Sequence, residues 1–211
     1  MAAVEARDAV LSYTSEPQLR IDSLTLDMGV YACFTGRSGS GKTLLAEHLA
    51  LLRLPMEGCV CIDGSRPRSR REARRIRRRL IGYIPQENLV VPGATVYSNI
   101  AIGLPEGGRD TIEAVARRLG IEDLLWRRAD DVSGGQLRRV VIARALVKSP
   151  KIIVADEPLA GLDDYTARKV VEILADLVKS GATVIHLEPV LDDFIPCDIM
   201  FRVGGGTVTR L

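Results

Sequence analysis

The chain is 211 residues long, 46% hydrophobic and 27% charged, with a formal net charge of +2. That length fits one domain, or a compact core with an inserted lobe, and leaves room for a sizeable buried core. The composition excludes a disordered or fibrous chain, and no apolar run approaches the roughly 18 residues a membrane-spanning helix needs.

In chain order, the opening MAAVEARDAV has no basic leader followed by an apolar run, so the expected location is the cytosol unless a partner carries the chain to a membrane. Strand-like stretches fall near 8–13 and 19–27. YACFTG (31–36) is an apolar strand closed by glycine, and KTLLAEHLALLRL (42–54) has helical spacing, with Leu45, Leu49 and Leu52 on one face. CVCID (59–63) reads as an edge strand, and LIGYIP (80–85) is another short apolar run. Between them, residues 66–79 hold nine arginines against one glutamate. Such a block can bind polyanions, or form the solvated face of a short helix with Ile76 and Leu80 turned inward. No aromatics interleave with the arginines, which favours the helix face over nucleic acid.

Residues 109–148 have a helical pattern broken at 130–135. KIIVAD (151–156) is a buried parallel strand, 164–180 a helix ending at Gly181, and ATVIHL (182–187) another buried strand. IMFRV (199–203) and TVTRL (207–211) flank a glycine turn. Strands alternating with helices give an α/β fold with a largely parallel sheet. Cys33, Cys59, Cys61 and Cys197 form no CxxC pair, and only two histidines accompany them. They are expected to be four small buried thiols rather than metal ligands or disulfides.

The strongest motif is Gly36-Arg37-Ser38-Gly39-Ser40-Gly41-Lys42-Thr43, which satisfies GxxxxGK[ST] between an apolar strand and an amphipathic helix. Glycines let successive N–H groups converge into an anion nest, and the helix start adds its positive dipole end. Lys42 supplies charge to the β- and γ-phosphates, and the Thr43 hydroxyl is placed to ligate Mg²⁺. Asp156 ends a strand where parallel sheets gather their ligands, so it is expected near Thr43 to hold the metal shell. Glu157 follows directly and is expected to polarise water. A second anion site is expected at Ser133-Gly134-Gly135-Gln136, where Ser133 caps a helix whose first N–H groups the glycines bare. Two phosphate-binding helix ends in one chain suggest a nucleotide held between two copies.

These motifs, in this order, resemble the ATP-binding cassette (ABC) ATPases over nearly the whole chain. Gly36–Thr43 is similar to the Walker A loop, Gln86 in GYIPQ to the Q-loop, and VSGGQ to the signature, with Val132 where leucine is commoner. Asp156 and Glu157 resemble the end of Walker B. Asp163 in AGLD resembles the D-loop, without its usual serine. His186 resembles the switch histidine, and Tyr13 the aromatic that stacks on adenine. The resemblance implies a P-loop NTPase with a RecA-like core (about 1–86 and 150–211), a small antiparallel β subdomain and an inserted α-helical signature subdomain (about 87–149).

It also implies that two cassettes sandwich ATP between Walker A of one and the signature of the other. Glu157 is then the base, His186 contacts the γ-phosphate, and Gln86 senses Mg²⁺. Residues 86–104 resemble the segment that receives a separate transmembrane permease subunit, which would hold the chain at the inner face of the membrane. Import and export stay open, as do homodimer and heterodimer. Two alternatives stand: a soluble cassette serving cluster assembly or nucleic acid, and a module that binds ATP without turnover. The span from Gly36 to Ser133 is too short for the long coiled coil of DNA-repair members.

Overall fold

In the computed structural model, which describes residues 1–104 and 108–211, nine strands form one sheet. They are β1 (Ala2–Leu11), β2 (Leu19–Asp27), β3 (Tyr31–Thr35), β4 (Glu57–Ile62), β5 (Ile81–Ile84), β6 (Ile152–Asp156), β7 (Thr183–Glu188), β8 (Ile199–Gly204) and β9 (Thr207–Arg210). Their spatial order is β4-β1-β2-β9-β8-β3-β7-β6-β5. From β5 through β6, β7 and β3 to β8 every pairing is parallel. β8 pairs antiparallel with β9, and β1 pairs antiparallel with both β2 and β4. The mainly parallel core and the antiparallel flap are therefore both present, joined through β9 and β2.

Sequence explains the placement. β6 and β7 are buried at every residue, as expected of central strands covered on both faces. β4 lies at one sheet edge, as its weak alternation predicts, and β5 at the other. The described residues also form six helices: α1 (Lys42–Leu49), α2 (Arg70–Leu80), α3 (Val96–Ala101), α4 (Arg109–Arg118), α5 (Gly134–Leu146) and α6 (Asp164–Lys179). α1 packs on one face against Ala32, Phe34, Val154, Ile185 and Leu187. The other face, with Tyr31, Ile153, Ala155 and Val184, packs in a second cluster with apolar residues of α3 to α6. On α6, Ala167, Val170, Val171 and Leu174 give the buried stripe, and its C-cap Ser180 is followed by Gly181 at φ 94°.

Several expectations shift. α1 stops at Leu49, three residues before Leu52, which is exposed. The break in the helical block runs from Leu119 to Ser133, crossed by two single 3₁₀ turns. α3 is an element the apolar spacing did not reveal. α2 does form, capped by Ser69, with Leu80 buried and Ile76 half-buried. The expectation of four free thiols is corrected. Cys33 on β3 and Cys197, just before β8, are joined in a disulfide with Cα atoms 5.8 Å apart, while Cys59 and Cys61 on β4 are free. A partner 164 residues away becomes visible only once β3 and β8 pair.

Candidate functional site

The glycine loop between β3 and α1 curls at the carboxyl ends of the parallel strands. Gly36 admits no side chain: a Cβ there would collide with the Val203 carbonyl and the Ser40 hydroxyl. Gly41 caps α1 at φ 101°, a left-handed conformation that costs glycine little. The first N–H groups of α1 are thereby aimed into a cleft of about 400 Å³. Ser38–Leu44 line it together with Tyr13, Gln18, Gln86 and Glu157.

Lys42 is 4% exposed, an uncommon state for a lysine. Its Nζ donates to the carbonyls of Gly36 (2.8 Å) and Arg37 (3.4 Å) and lies 3.6 Å from Glu157 Oε1. The other Glu157 oxygen accepts from Gln86 Nε2 at 3.2 Å, and Gln86 Oε1 accepts from the Thr43 hydroxyl at 3.4 Å. Lys42, Thr43, Gln86 and Glu157, spread over more than half the chain, thus form one connected set. Glu157 has φ 47°, a strained value for a non-glycine residue, and its N–H is held by the Leu187 carbonyl at 2.8 Å.

Asp156 lies beside this set, completely buried, and neither of its carboxylate oxygens has a hydrogen-bond partner. Burial, together with the charge of Glu157, pushes its carboxyl up to about 6; the Thr43 hydroxyl and the charges of Lys42 and Arg138 oppose this in part. Ser40 Oγ is likewise buried without a partner. Buried polar atoms are rarely left unsatisfied. A hard cation that prefers oxygen ligands, with the phosphates it accompanies, fits a free carboxylate beside the Thr43 hydroxyl.

Tyr13 is 45% exposed at the rim, with the Arg53 guanidinium 4.6 Å above its ring. Burial and the nearby Glu47 raise its hydroxyl to about 12, so it stays neutral at any working pH. One ring face carries Arg53, so a base would stack on the other.

The remaining predicted residues do not line this cleft. Ser133 caps α5 in a capping box: its Oγ accepts from the Gln136 N–H at 3.3 Å, and Gln136 Oε1 accepts from the Ser133 N–H at 2.8 Å. Ser133 and Gly134 are exposed, and Asn88 Nδ2 donates to the Gly134 carbonyl, tying this tip to the segment after Gln86. Asp163 is exposed and caps α6, accepting from the Thr166 N–H and hydroxyl; these bonds hold its carboxyl below the usual range.

His186 is fully buried inside β7, and its Nδ1 lies 2.8 Å from the Tyr31 hydroxyl. Its Nε2 lies 3.4 Å from Glu188 Oε1, and that oxygen accepts from the Leu159 N–H. Burial and the charge of Glu188 drive the Tyr31 hydroxyl far up, so Tyr31 keeps its proton. Through Glu188, His186 is thus linked to the loop after Glu157.

The chain can be set beside known proteins. The family model described as "ABC transporter" matches residues 19–160. The chain belongs to the ABC transporter family. A cobalt import ATP-binding protein of Syntrophus aciditrophicus is 33% identical over 98% of this chain and 77% of its own length. A lipoprotein-releasing system ATP-binding protein of Aquifex aeolicus is 32% identical over 77% of this chain and 76% of its own. The dimeric post-hydrolysis state of the ATP-binding cassette MJ0796, bound to ADP and Pi, superimposes with a TM-score of 0.87 at 26% identity, covering 97% and 96% of the two chains. The α/β P-loop architecture of ABC cassettes is thus the fold of this chain.

Within this ABC fold, one buried side chain escaped the sequence reading. Arg138 on α5 is 1% exposed and donates to five main-chain carbonyls: Pro85, Gln86, Asp156, Glu157 and Pro158. It joins the helix that begins at Ser133 to both segments that line the phosphate cleft. It lies on the inward face of α5, two residues before the buried Val140.

Proposed function

We propose that this chain binds and hydrolyses ATP and powers a separate membrane transport subunit, working as a pair of cassettes. The observation that carries the reading is the convergence of Lys42, Thr43, Gln86 and Glu157 on one cleft beside the orphaned Asp156 carboxylate. The relatives above are ATP-binding subunits of transport systems. No helix among the described residues is long and apolar enough to cross a membrane. In this reading the transport path belongs to a partner. That partner would hold the chain at the inner face of the membrane.

The triphosphate lies along the loop N–H groups of Ser38–Thr43, with Lys42 against its outer phosphates. Thr43 and Asp156 would hold Mg²⁺, with Gln86 beside them. When bound, the ion draws charge from the phosphate oxygens. Lys42 now neutralises Glu157 Oε1 at 3.6 Å. Phosphates that attract Lys42 free this oxygen to accept a proton from the attacking water. Gln86 Nε2 keeps the other oxygen in place.

The cleft lacks the tip at Ser133–Gln136, which is exposed elsewhere on the same chain. A second copy supplies it, and ATP becomes the adhesive between two cassettes. In this reading the core spans 1–86 and 150–211, and residues 87–149 form the lobe that presents the tip. Tyr13 stacks on adenine, and Asp163 acts at the dimer interface.

Purification of the native protein from gently solubilised membranes tests the transport reading. A multi-span protein that co-purifies and raises ATP turnover on reconstitution is the expected result. Recovery with soluble partners only, and no stimulation by any membrane fraction, overturns it.

A further inference from the structure

Arg53 belongs to none of the motifs in the chain, yet its guanidinium carbon lies 4.6 Å from the centre of the Tyr13 ring. Tyr13 sits in the loop between β1 and β2, where its N–H donates to Gln18 Oε1 at 2.7 Å. The same oxygen accepts from the Ser12 hydroxyl at 3.1 Å. These bonds hold the main chain of Tyr13 and leave its half-exposed ring to be placed by something else.

Arg53 comes just after α1 and is tied back to it. Its Nε donates to Glu47 Oε2 at 2.7 Å, and the N–H groups of Leu52 and Arg53 both donate to the Glu47 carbonyl, at 2.8 and 3.4 Å. An arginine–glutamate pair at a surface ordinarily contributes little to stability. Here the pair has a third member. The Glu47 carboxylate fixes the guanidinium, and the guanidinium stands over one face of the Tyr13 ring as a cation–π partner. A cation on one face draws ring electron density toward itself. A purine arriving on the other face then meets less π–π repulsion. α1 thus spans the whole cleft: it starts at Lys42 beside the phosphate loop and, through Glu47 and Arg53, reaches the ring at the rim.

We propose that Arg53, held by Glu47, is a positioning residue for the nucleotide base: it fixes the Tyr13 ring in the orientation on which a purine stacks. That role rests on the ATP reading of the cleft. Arg53 touches only the ring, and the ring touches the base.

Two ligands separate base from phosphates: the non-hydrolysable analogue AMP-PNP and inorganic tripolyphosphate, each with Mg²⁺ and the full-length protein in a calorimeter. Arg53→Met should weaken AMP-PNP by roughly 3–5-fold and tripolyphosphate by less than ~2-fold, since the phosphates do not reach the ring. Glu47→Gln, which loosens the guanidinium without removing it, should give a smaller loss of the same selectivity. Arg53→Lys should recover only part of the loss, because an ammonium keeps the charge and not the planar fork. In steady-state turnover the loss should appear in KM rather than kcat. Tyr13→Leu should weaken AMP-PNP by about 10-fold, and adding Arg53→Met to it should cost nothing further. Additive losses in the double variant overturn the proposal, as does equal weakening of both ligands by Arg53→Met. If Tyr13→Leu weakens AMP-PNP and Arg53→Met does not, the role of Arg53 falls and Tyr13 keeps its own. If Tyr13→Leu has no effect, the placement of the base on Tyr13 falls first and Arg53 with it.

Discussion

Asp156 shows how one residue can be costly to the fold and necessary to the chemistry. Its carboxyl sits at about 6, against roughly 3.9 for a free aspartate. For an acid whose folded value is raised, the favourable contribution is complete below the unfolded value and is lost as pH rises through the folded one. A shift of this size corresponds to about 3 kcal/mol against folding at pH 8 in the apo protein. Asp156→Asn should therefore melt several degrees higher than the parent at pH 8, and the gap should close by pH 4. Parallel melting curves across that range would remove the buried charge as the cause. The same variant should lose most hydrolysis, because the amide gives the cation no charge. Glu157→Gln tests the neighbouring role. With the base gone, turnover should fall by at least ~100-fold while ATP binding persists, and size-exclusion chromatography with ATP should show a stable dimer. Unchanged turnover would remove Glu157 as the base.

At the scale of elements, the decisive contact is between α5 and the two segments that flank the nucleotide. Arg138 binds five carbonyls with a rigid planar fork that a lysine cannot reproduce. Arg138→Lys should cost about 1–3 kcal/mol of stability through carbonyls left unpaired, and should lower kcat by more than it raises KM, because Gln86 and Glu157 lose their common anchor. Equal kcat with a lower melting temperature would make it a purely structural residue. Local signals carried much of this architecture. Glycines at Gly36 and Gly41, the apolar run before Asp156 and the Ser133 cap each write their conformation into a few adjacent residues. What escaped was set by distant packing. α3 is too short for a helical period to register, and the carbonyls that satisfy Arg138 come from two other segments. His186, which resembles the switch histidine, has surroundings that no local signal gave. Its burial follows from the registers of β3 and β6, which set Cys33 and Ala155 beside it. The Cys33–Cys197 link depends on the same long-range pairing.

At the scale of the whole molecule, the layout itself implies a partner. A single chain presents a phosphate cleft built on α1 and, elsewhere, an exposed helix tip at Ser133 suited to the same anion. In the proposed two-fold pair, each cleft would meet the tip of the other copy, and both sites would be used. Lys42→Ala wounds the cleft, and Ser133→Arg fills the tip with a bulky cation. Each variant alone should lose ATP-driven dimerisation and turnover, because both sites of its homodimer are damaged. Mixed in equal amounts, they give heterodimers in which one site combines two lesions and the other combines two intact halves. With random pairing and independent sites, about a quarter of the parental activity should return. If the tip served the cleft of its own chain, mixing would restore nothing, since no chain would carry both intact parts. The recovery should also rise and fall with protein concentration, as an assembled site requires. Dependence on mixing and on concentration together distinguishes a site shared between copies from one completed within a single chain.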